Sequence, residues 1–299
     1  MRHQAEPELS LLTSPDWVEY ELLDSGDGAK LERYGPYTFV RPEHQAIWTP
    51  ALPAARWQAA DAVFKTSGQE SGGDWQVHTA LPKSLYMTYK KLRFQVAASP
   101  SRHLGVFPEQ ANHWDWLQEQ IQTAGRTVRV LNLFGYTGLA TLAAAQAGAQ
   151  VTHIDASAKA VQWARTNQSL SGLDDRPIRW LTEDAERFVR REVRRGSKYE
   201  GIILDPPKFG RGPSGQVWEF FESVPELLKN CRAILSDRPV FVLLTAYAIR
   251  ASALSLHFAL QEMLEGLPGE LSSGELALKE RSVGRYLSLA IYSRWRARV

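Results

Sequence analysis

The hydrophobic and polar positions follow different patterns in the two parts of the chain. In residues 1–98, short alternating segments are separated by turn residues, and residues 91–96 alternate strictly between apolar and polar side chains. Residues 20–34 predict a hairpin whose turn lies at the Asp-Ser-Gly-Asp-Gly segment, and residues 37–41 predict a further strand. This part is therefore expected to form a small β-rich N-terminal domain, residues 1–98.

From residue 99 onward, apolar strand-like segments alternate with helical ones. The predicted strands are 128–133, 151–154, 178–181, 201–204, 240–244, 276–280 and 286–292, and the predicted helices lie around 112–123, 139–147, 157–171, 184–195, 225–235 and 252–264. Alternation of this kind predicts an α/β domain over residues 99–299: a Rossmann-like, seven-stranded, mostly parallel sheet with helices on both faces. The last two strands predict an antiparallel edge, residues 66–74 a flexible loop, and residues 99–105 a connector.

Composition places the chain among globular proteins. It has 299 residues, of which 44% are hydrophobic and 23% charged, so it can bury a sizeable core. Cys231 is the only cysteine and the seven histidines are scattered, which excludes a disulfide scaffold and gives no zinc spacing. No metal is expected. The most apolar run, residues 241–249, is too short to cross a bilayer, and residues 1–20 lack the apolar region of a signal peptide. A cytoplasmic protein without a membrane partner is expected.

The net charge is only +2, but the basic residues cluster. The three clusters are Lys83, Lys90, Lys91 and Arg93; Arg187, Arg190, Arg191, Arg194, Arg195 and Lys198; and Arg281, Arg285, Arg294, Arg296 and Arg298. Each alone is typical of a solvated surface, whereas the three together are compatible with a phosphate-rich partner. Aromatic side chains can stack on bases, but the tryptophans of the β-rich part are interpreted as core residues.

The predicted strand ends carry the candidate chemistry. The first strand ends in Asn132-Leu133-Phe134-Gly135-Tyr136-Thr137-Gly138, where two glycines permit a tight turn close to a ligand. Asp155 ends the second strand, and a carboxylate there can accept both hydroxyls of a ribose. The third strand leads to Glu183-Asp184-Ala185, and the fourth to Asp205-Pro206-Pro207-Lys208-Phe209. In an open α/β sheet ligands bind at these ends, so we expect one nucleoside-binding crevice.

Each segment also has a purely structural explanation. The glycine turn can be only a turn, Asp155 can be a helix-entry residue, and the two prolines can simply terminate a strand. Their order and spacing together favour a ligand site. Gly210, Gly212 and Gly215 match a dinucleotide-binding pattern, but Pro213 interrupts it and no acidic strand end follows at the required distance. We interpret this segment as a lid, and a nicotinamide-dependent oxidoreductase is the alternative.

Residues 134–138, Asp155 and residues 205–209 resemble class I S-adenosylmethionine-dependent methyltransferases, above all the subgroup related to large-subunit ribosomal RNA base methyltransferases. The resemblance covers roughly residues 99–299; in such relatives an N-terminal β-module helps to hold RNA. It implies S-adenosyl-L-methionine as cofactor. The expected cofactor-binding residues are Phe107, Asn132, Phe134, Gly135, Tyr136, Thr137, Gly138, Asp155, Ala156, Ser157, Asp184, Ala185 and Asp205.

The acceptor is expected to be a base of RNA, with ribosomal RNA as the first candidate. Asp205 and the Pro206 carbonyl can accept hydrogen bonds from an acceptor amine that gains positive charge, and Phe209 can stack on the base. These three are the expected catalytic residues, and Lys208 or Arg211 is a candidate phosphate contact. Lys208 stands between the prolines and the aromatic residue, which departs from typical amino-methylating enzymes but agrees with the ribosomal RNA subgroup.

Methylation of cytosine C5 requires a cysteine nucleophile, which the cytosine-modifying relatives carry just after the fifth strand. Residues 244–247 contain none, and Cys231 is expected to be a core thiol. The sequence therefore favours attack by a nitrogen. A small molecule or a protein as acceptor, and a non-catalytic RNA-binding protein, are the remaining alternatives. The oligomeric state is left open.

Overall fold

A computed structural model describes residues 6–67, 72–98, 102–213 and 215–298. The predicted loop at 66–74 and connector at 99–105 lie partly outside these ranges. The strands are β1 (Leu9–Thr13), β2 (Tyr20–Gly26), β3 (Ala29–Tyr34), β4 (Tyr37–Pro42), β5 (Ala62–Thr66), β6 (Gly73–Val77), β7 (Leu85–Tyr89), β8 (Leu92–Val96), β9 (Arg129–Leu133), β10 (Gln150–Asp155), β11 (Ile178–Thr182), β12 (Gly201–Leu204), β13 (Phe209–Arg211), β14 (Val217–Glu219), β15 (Phe241–Tyr247), β16 (Gly269–Lys279) and β17 (Tyr286–Ala297).

The helices are α1 (Ala54–Gln58), α2 (Ala111–Thr123), α3 (Leu139–Gln146), α4 (Ala158–Leu170), α5 (Ala185–Arg195), α6 (Phe220–Ile234) and α7 (Ala253–Met263), with a 3-10 turn at Pro108–Gln110. Of these helices, in the part of the chain that the structure describes, none is long and apolar enough to span a membrane.

Two compact units can be separated. The sheet unit comprises Met1–Leu12, His113–Leu276 and Leu289–Val299, and the β-rich unit comprises Thr13–Asn112 and Ala277–Ser288. These units follow Cα proximity rather than a single cut in the chain, and the domain division at residues 98 and 99 stays a prediction.

The large sheet has the order β1-β16-β17-β15-β12-β9-β10-β11. The strands β15, β12, β9, β10 and β11 pair in parallel, with β11 at the edge of the sheet, and β17 pairs antiparallel to β15. The predicted Rossmann-like, mostly parallel sheet with an antiparallel edge is thus confirmed. The chain runs outward from β9 in both directions, so a topological switch point lies between β9 and β12.

The parallel strands β9, β12 and β15 are apolar on both faces because helices cover both. Every residue of β12 is buried. Alternate residues of the strands pack into two separate cores: Leu131 and Ile202 lie with Phe188 of α5 and Leu227 of α6, whereas Val130 lies with residues of α2 and α3. This two-sided burial explains why the strands read as continuous hydrophobic runs.

The predicted number of seven strands is wrong, because the sheet has eight strands in the part of the chain that the structure describes. The additional strand is β1, whose leucines Leu9, Leu11 and Leu12 were not recognised as a strand; none of its residues is buried. Helix α6 also begins at Phe220, five residues ahead of the predicted start, so Pro225 lies inside the helix, where it has no N–H to donate to the Phe221 carbonyl.

In the β-rich unit, β2-β3-β4-β5-β6 form one sheet and β7-β8 a second. The predicted hairpin is present, but β2 continues to Gly26 and the turn narrows to Asp27 and Gly28, with φ of 50° and 74°. The predicted face of β8 is buried: Leu92, Phe94 and Val96 are at most 2% exposed.

Three tryptophans of this unit lie in its core or pack against that core, as interpreted. Trp17 is 8% exposed and lies 5.0 Å from the Tyr89 ring. Trp75 packs 5.2 Å from Phe64, and Trp57 donates from Nε1 to Asp24 at 3.1 Å.

A buried polar network crosses the same unit. Glu32 is 0% exposed and accepts 2.7 Å hydrogen bonds from Nε and Nη2 of Arg41 and a 2.8 Å bond from Tyr20. Burial raises the pKa of the Glu32 carboxyl, but Arg41 and Lys30 outweigh burial and lower that pKa to about 2. The carboxylate is therefore charged in the core and fully partnered.

Candidate functional site

Four strands of the sheet unit end at one edge. In the parallel register Leu204 lies opposite Leu133, and Leu133 lies opposite Ile154. Asp155 lies opposite Thr182. The segments that follow these strands therefore leave the sheet side by side, as predicted, with Asp205 two strands away from Asp155.

The turn after β9 has a constrained backbone. Phe134 and Tyr136 have φ of 60° and 48°, and Gly138 has φ of 84° before α3 begins. Non-glycine residues in this region cost free energy and cluster at ligand sites. The turn is closed by a 3.0 Å bond from the Gly138 N–H to the Gly135 carbonyl. The sequence interpretation assigned the turn to its two glycines, but two aromatic residues also take the left-handed conformation.

Asp155 holds this turn. Its Oδ2 accepts a 2.8 Å hydrogen bond from the Tyr136 N–H, and its Oδ1 accepts one of 2.8 Å from the Ser157 N–H. Burial raises the pKa of Asp155 above its usual 3.8, and the two backbone donors act in the opposite direction. Each carboxylate oxygen keeps a lone pair beyond the backbone bond, so the group can still accept two hydroxyls.

A buried polar chain lies below the turn. Asn132 is 2% exposed and its Nδ2 donates to Thr141 Oγ1 at 2.8 Å. Thr141 Oγ1 lies 2.9 Å from His153 Nδ1. Asn132, predicted to contact the cofactor, thus directs its side chain into the interior. His153 was not among the predicted site residues.

The end of β11 carries helix-capping groups. Asp184 is the N-cap of α5 and accepts a 2.9 Å bond from the Arg187 N–H, and Ala185 is 5% exposed. Glu183 accepts a 2.7 Å bond from Arg191. A Cβ added at Gly212 would lie 3.0 Å from Asp184 Oδ2, so the segment after β12 passes beside this strand end.

After β12 the chain forms a small hairpin of β13 and β14, which sequence reasoning missed. Trp218 is buried on one face, 4.8 Å from the Phe134 ring, and its Nε1 donates to the Pro207 carbonyl at 2.6 Å. Phe209 pairs with Glu219 across the hairpin and is 52% exposed. The hairpin anchors the Pro-Pro segment to the turn after β9 and leaves an aromatic ring in solvent.

Gly210 and Gly212 lie in or beside β13 and so do not open a helix directly after a strand. The alternative of a dinucleotide-binding turn requires such a helix. The arrangement therefore gives no support to the nicotinamide-dependent alternative. Movement of this segment as a lid stays a prediction.

The other predicted residues divide between the units. Thr137 is 3% exposed and its carbonyl accepts from Asn167 Nδ2 at 2.9 Å. Ser157 is the N-cap of α4 and accepts from the Ala160 N–H at 3.2 Å, with Ala156 between it and Asp155. Phe107 belongs to the β-rich unit, and its contact with the cofactor stays a prediction.

Many of the clustered arginines form ion pairs. In α5, Arg190, Arg191 and Arg195 pair with Glu186, Glu183 and Glu192. In the C-terminal cluster, Arg281, Arg285 and Arg296 pair with Glu21, Glu280 and Glu270. These pairs fit the interpretation as solvated faces. Lys83, Lys91 and Arg93 are exposed on or near the β7–β8 hairpin.

A groove of about 460 Å³ lies at the opposite, amino-terminal edge of the strands. Arg129, Gln150, Ile178 and Tyr199 are among its lining residues. It is separate from the strand ends that carry Asp155 and Asp205, and no motif in the sequence pointed to it.

Fold and site together define a Rossmann-like domain whose strand ends can bind a nucleoside. The family model of the S-adenosylmethionine-dependent methyltransferases matches residues 17–270. Because this is most of the chain, the chain belongs to that family, and S-adenosylmethionine is its cofactor.

Solved and curated relatives agree with this assignment. A crystal structure of the S-adenosylmethionine-dependent methyltransferase from Agrobacterium tumefaciens is 46% identical, with a TM-score of 0.93 over 99% of this chain and 97% of that one. The ribosomal RNA large subunit methyltransferase I of Shewanella denitrificans is 42% identical over 86 residues, 28% of this chain and 22% of that protein. The enzyme of the same name from Aeromonas salmonicida is 37% identical over 105 residues, 35% of this chain and 24% of that protein. These two matches thus span less than a quarter of the curated relatives.

Proposed function

We propose that this protein transfers a methyl group from S-adenosylmethionine to a nitrogen of an RNA base, and that large-subunit ribosomal RNA is the first substrate to test. The observation that carries the proposal is the exposed ring of Phe209, which follows the Asp205-Pro206-Pro207 segment at the same sheet edge as Asp155. The names of the curated relatives support RNA as the acceptor class. An RNA substrate also agrees with the cytoplasmic location expected from the sequence.

The cofactor fits the residues at the first two strand ends. The Asp155 carboxylate would accept the two ribose hydroxyls with the lone pairs that Tyr136 and Ser157 leave free. The turn Gly135–Gly138 would lie against the methionine part, and Asp184 and Ala185 beside the adenine. When bound, the cofactor supplies a methyl group on a positively charged sulfur, so the protein has only to hold the acceptor in line with it.

The acceptor would lie between the ends of β9 and β12. An amine of a base gains positive charge as it attacks the methyl group. Asp205 and the Pro206 carbonyl would accept its hydrogens and so stabilise that charge. Phe209 would stack on the base, which must be unpaired or flipped out of a duplex to reach this edge. Lys208 and Arg211, exposed on either side of Phe209, would contact phosphate.

Nitrogen rather than carbon is favoured as the acceptor atom. Cytosine C5 must be activated by a cysteine nucleophile. Cys231, the only cysteine, is 0% exposed in α6 within the core. Burial raises the pKa of its thiol far above the usual value. A thiolate at the strand ends is therefore absent from this chain.

The test is methyl transfer to in vitro transcribed large-subunit ribosomal RNA, with isotopically labelled S-adenosylmethionine. The RNA is digested to nucleosides, which are separated by liquid chromatography with mass spectrometry against nitrogen- and carbon-methylated standards. We expect a nitrogen-methylated nucleoside with the wild type and with Asp237→Ala, an exposed aspartate used as control. Asp205→Ala should lose the product.

Each other outcome contradicts a defined part of the proposal. A carbon-methylated nucleoside would overturn the assignment to nitrogen. Label in a protein or small-molecule fraction, with none in RNA, would overturn the acceptor class. Full activity of Asp205→Ala would overturn the role of that carboxylate.

A further inference from the structure

The Gly135 turn rests directly on an imidazole ring. A Cβ added at Gly135 would lie within 3.0 Å of Cε1 and Nδ1 of His153, closer than real Cβ atoms approach other groups. His153 lies in the middle of β10, is 0% exposed and packs 4.6 Å from the ring of Trp180. The ring is therefore held in place by Trp180, and the space between the ring and Gly135 is too small for a side chain.

Hydrogen bonds fix the orientation of the same ring. Thr141 Oγ1 accepts from the Asn132 amide and shares a 2.9 Å hydrogen bond with Nδ1 of His153. Burial lowers the pKa of His153 to about 3, so the ring is neutral throughout the physiological range.

We infer that His153 is a positioning residue for cofactor binding: its ring sets the height of the Gly135 turn, and thereby brings the Tyr136 N–H onto Asp155. The inference rests on the proposed role of this turn and of Asp155. The Gly135 N–H donates to the carbonyl of Ile154, the residue after His153, at 3.0 Å. The turn is therefore held to β10 by a hydrogen bond as well as by its contact with the imidazole. Glycine is required at this position by the imidazole below it rather than by a left-handed backbone, since Gly135 is not among the positive-φ residues.

The test is reciprocal rescue between the two positions. The dissociation constant of S-adenosylhomocysteine is measured by calorimetry for the wild type, Gly135→Ala, His153→Ser and the double variant. The added methyl group should weaken binding by about tenfold or more, about 1.4 kcal/mol. Because the smaller serine makes room for that methyl group, the double variant should bind within about threefold of His153→Ser alone. If the affinity losses of the two single variants multiply in the double variant, the inference is wrong.

Two further variants separate positioning from general stability. His113→Ser removes another 0%-exposed histidine of the sheet unit, one that packs on Tyr292, and should leave the dissociation constant unchanged. His153→Asn places its amide near the position of Nδ1, can still hydrogen-bond with Thr141 and should stay folded even if His153→Ser unfolds. In a methylation assay, the KM for S-adenosylmethionine should rise in His153→Asn, because the ring that supports the turn is lost, while kcat at saturation is kept. A fall in kcat with unchanged KM, or equal losses of affinity in His113→Ser and His153→Ser, would contradict positioning.

The outcomes also separate this inference from the proposed function. If the wild type fails to bind S-adenosylhomocysteine, the proposed site is wrong. If the wild type binds it but no rescue is seen, only the role of His153 is wrong. RNA is not needed in the calorimetric measurement, so the identity of the acceptor does not enter the result.

Discussion

Replacing Asp155 by alanine should abolish tight binding of S-adenosylmethionine. The side chain holds two backbone N–H groups at 2.8 Å, and it would accept two ribose hydroxyls as well. A hydrogen bond to a charged group contributes about 1.5–3 kcal/mol. Loss of the two ribose bonds therefore corresponds to about 3–6 kcal/mol, which weakens binding by about 10²- to 10⁴-fold. The freed N–H groups of Tyr136 and Ser157 would relax the turn and add to this loss.

Calorimetric titration with S-adenosylmethionine measures this effect. Asp155→Asn is the finer test, because the amide keeps one acceptor oxygen but turns its NH₂ group toward a backbone N–H. It should also bind weakly, between alanine and the wild type. Asp175→Asn makes the same chemical change at an aspartate whose side chain is 80% exposed and should leave binding unaltered. Unchanged affinity in Asp155→Ala would refute the assigned role of this carboxylate.

The pH dependence provides a second check on the same residue. Burial raises the pKa of Asp155 above 3.8, and the charged form accepts the hydroxyls. Affinity should therefore be complete near neutrality and begin to fall, on acidification, before the pH reaches 3.8. The residual binding of Asp155→Asn should lack that decline. A wild-type affinity that stays constant down to this pH would contradict the requirement for an ionised carboxylate.

Three further predictions concern stability and the acceptor. Burial raises the pKa of Glu109 above 4.5, so the contribution of this neutral carboxyl to folding stability is lost as the pH rises through the folded-state pKa. Glu109→Gln should therefore unfold at a higher denaturant concentration than the wild type at neutral pH. Equal stabilities at neutral pH would contradict this prediction. The pKa of Glu32 is lowered to about 2, so its contribution to folding stability is present above pH 4.5 and is lost as the pH falls toward 2. Glu32→Gln should lower the free energy of unfolding in urea by about 3–5 kcal/mol at pH 7, because Arg41 is left buried without its charged partner. A loss that does not become smaller on acidification would refute the role of this ion pair. Phe209→Ala should reduce RNA methylation about tenfold or more at unchanged cofactor affinity, because a stacked base contributes about 1–3 kcal/mol. Phe221, which is also exposed and lies on α6, provides the matched control variant Phe221→Ala. Equal effects of the two variants would count against stacking.

Periodicity and strand-end motifs were sufficient to predict the central architecture. The strands β9 and β12 are buried on both faces, so their apolar runs could be recognised in the sequence. The caps at Ser157 and Asp184 fell where polar residues precede helical segments. Because parallel strands end at one edge, the neighbourhood of Asp155 and Asp205 followed from chain order alone.

Features that depend on contacts distant in sequence could not be predicted. Strand β1 is an edge strand without buried residues, and its pairing with β16 joins opposite ends of the chain. The β13–β14 hairpin is stabilised by Trp218, which packs on Phe134 more than 80 residues earlier. His153 had no local signal, because a lone histidine in a strand is usually a core residue. Its contact with Gly135 arises only when two strands pair.

The central claim is that S-adenosylmethionine binds at the carboxyl ends of β9, β10 and β11. A crystal structure with S-adenosylhomocysteine tests it most directly. We predict both ribose hydroxyls within hydrogen-bonding distance of the Asp155 carboxylate, and the sulfur directed toward Asp205. Density for the ligand in the groove beside Arg129 and Tyr199, at the opposite edge of the sheet, would contradict the account.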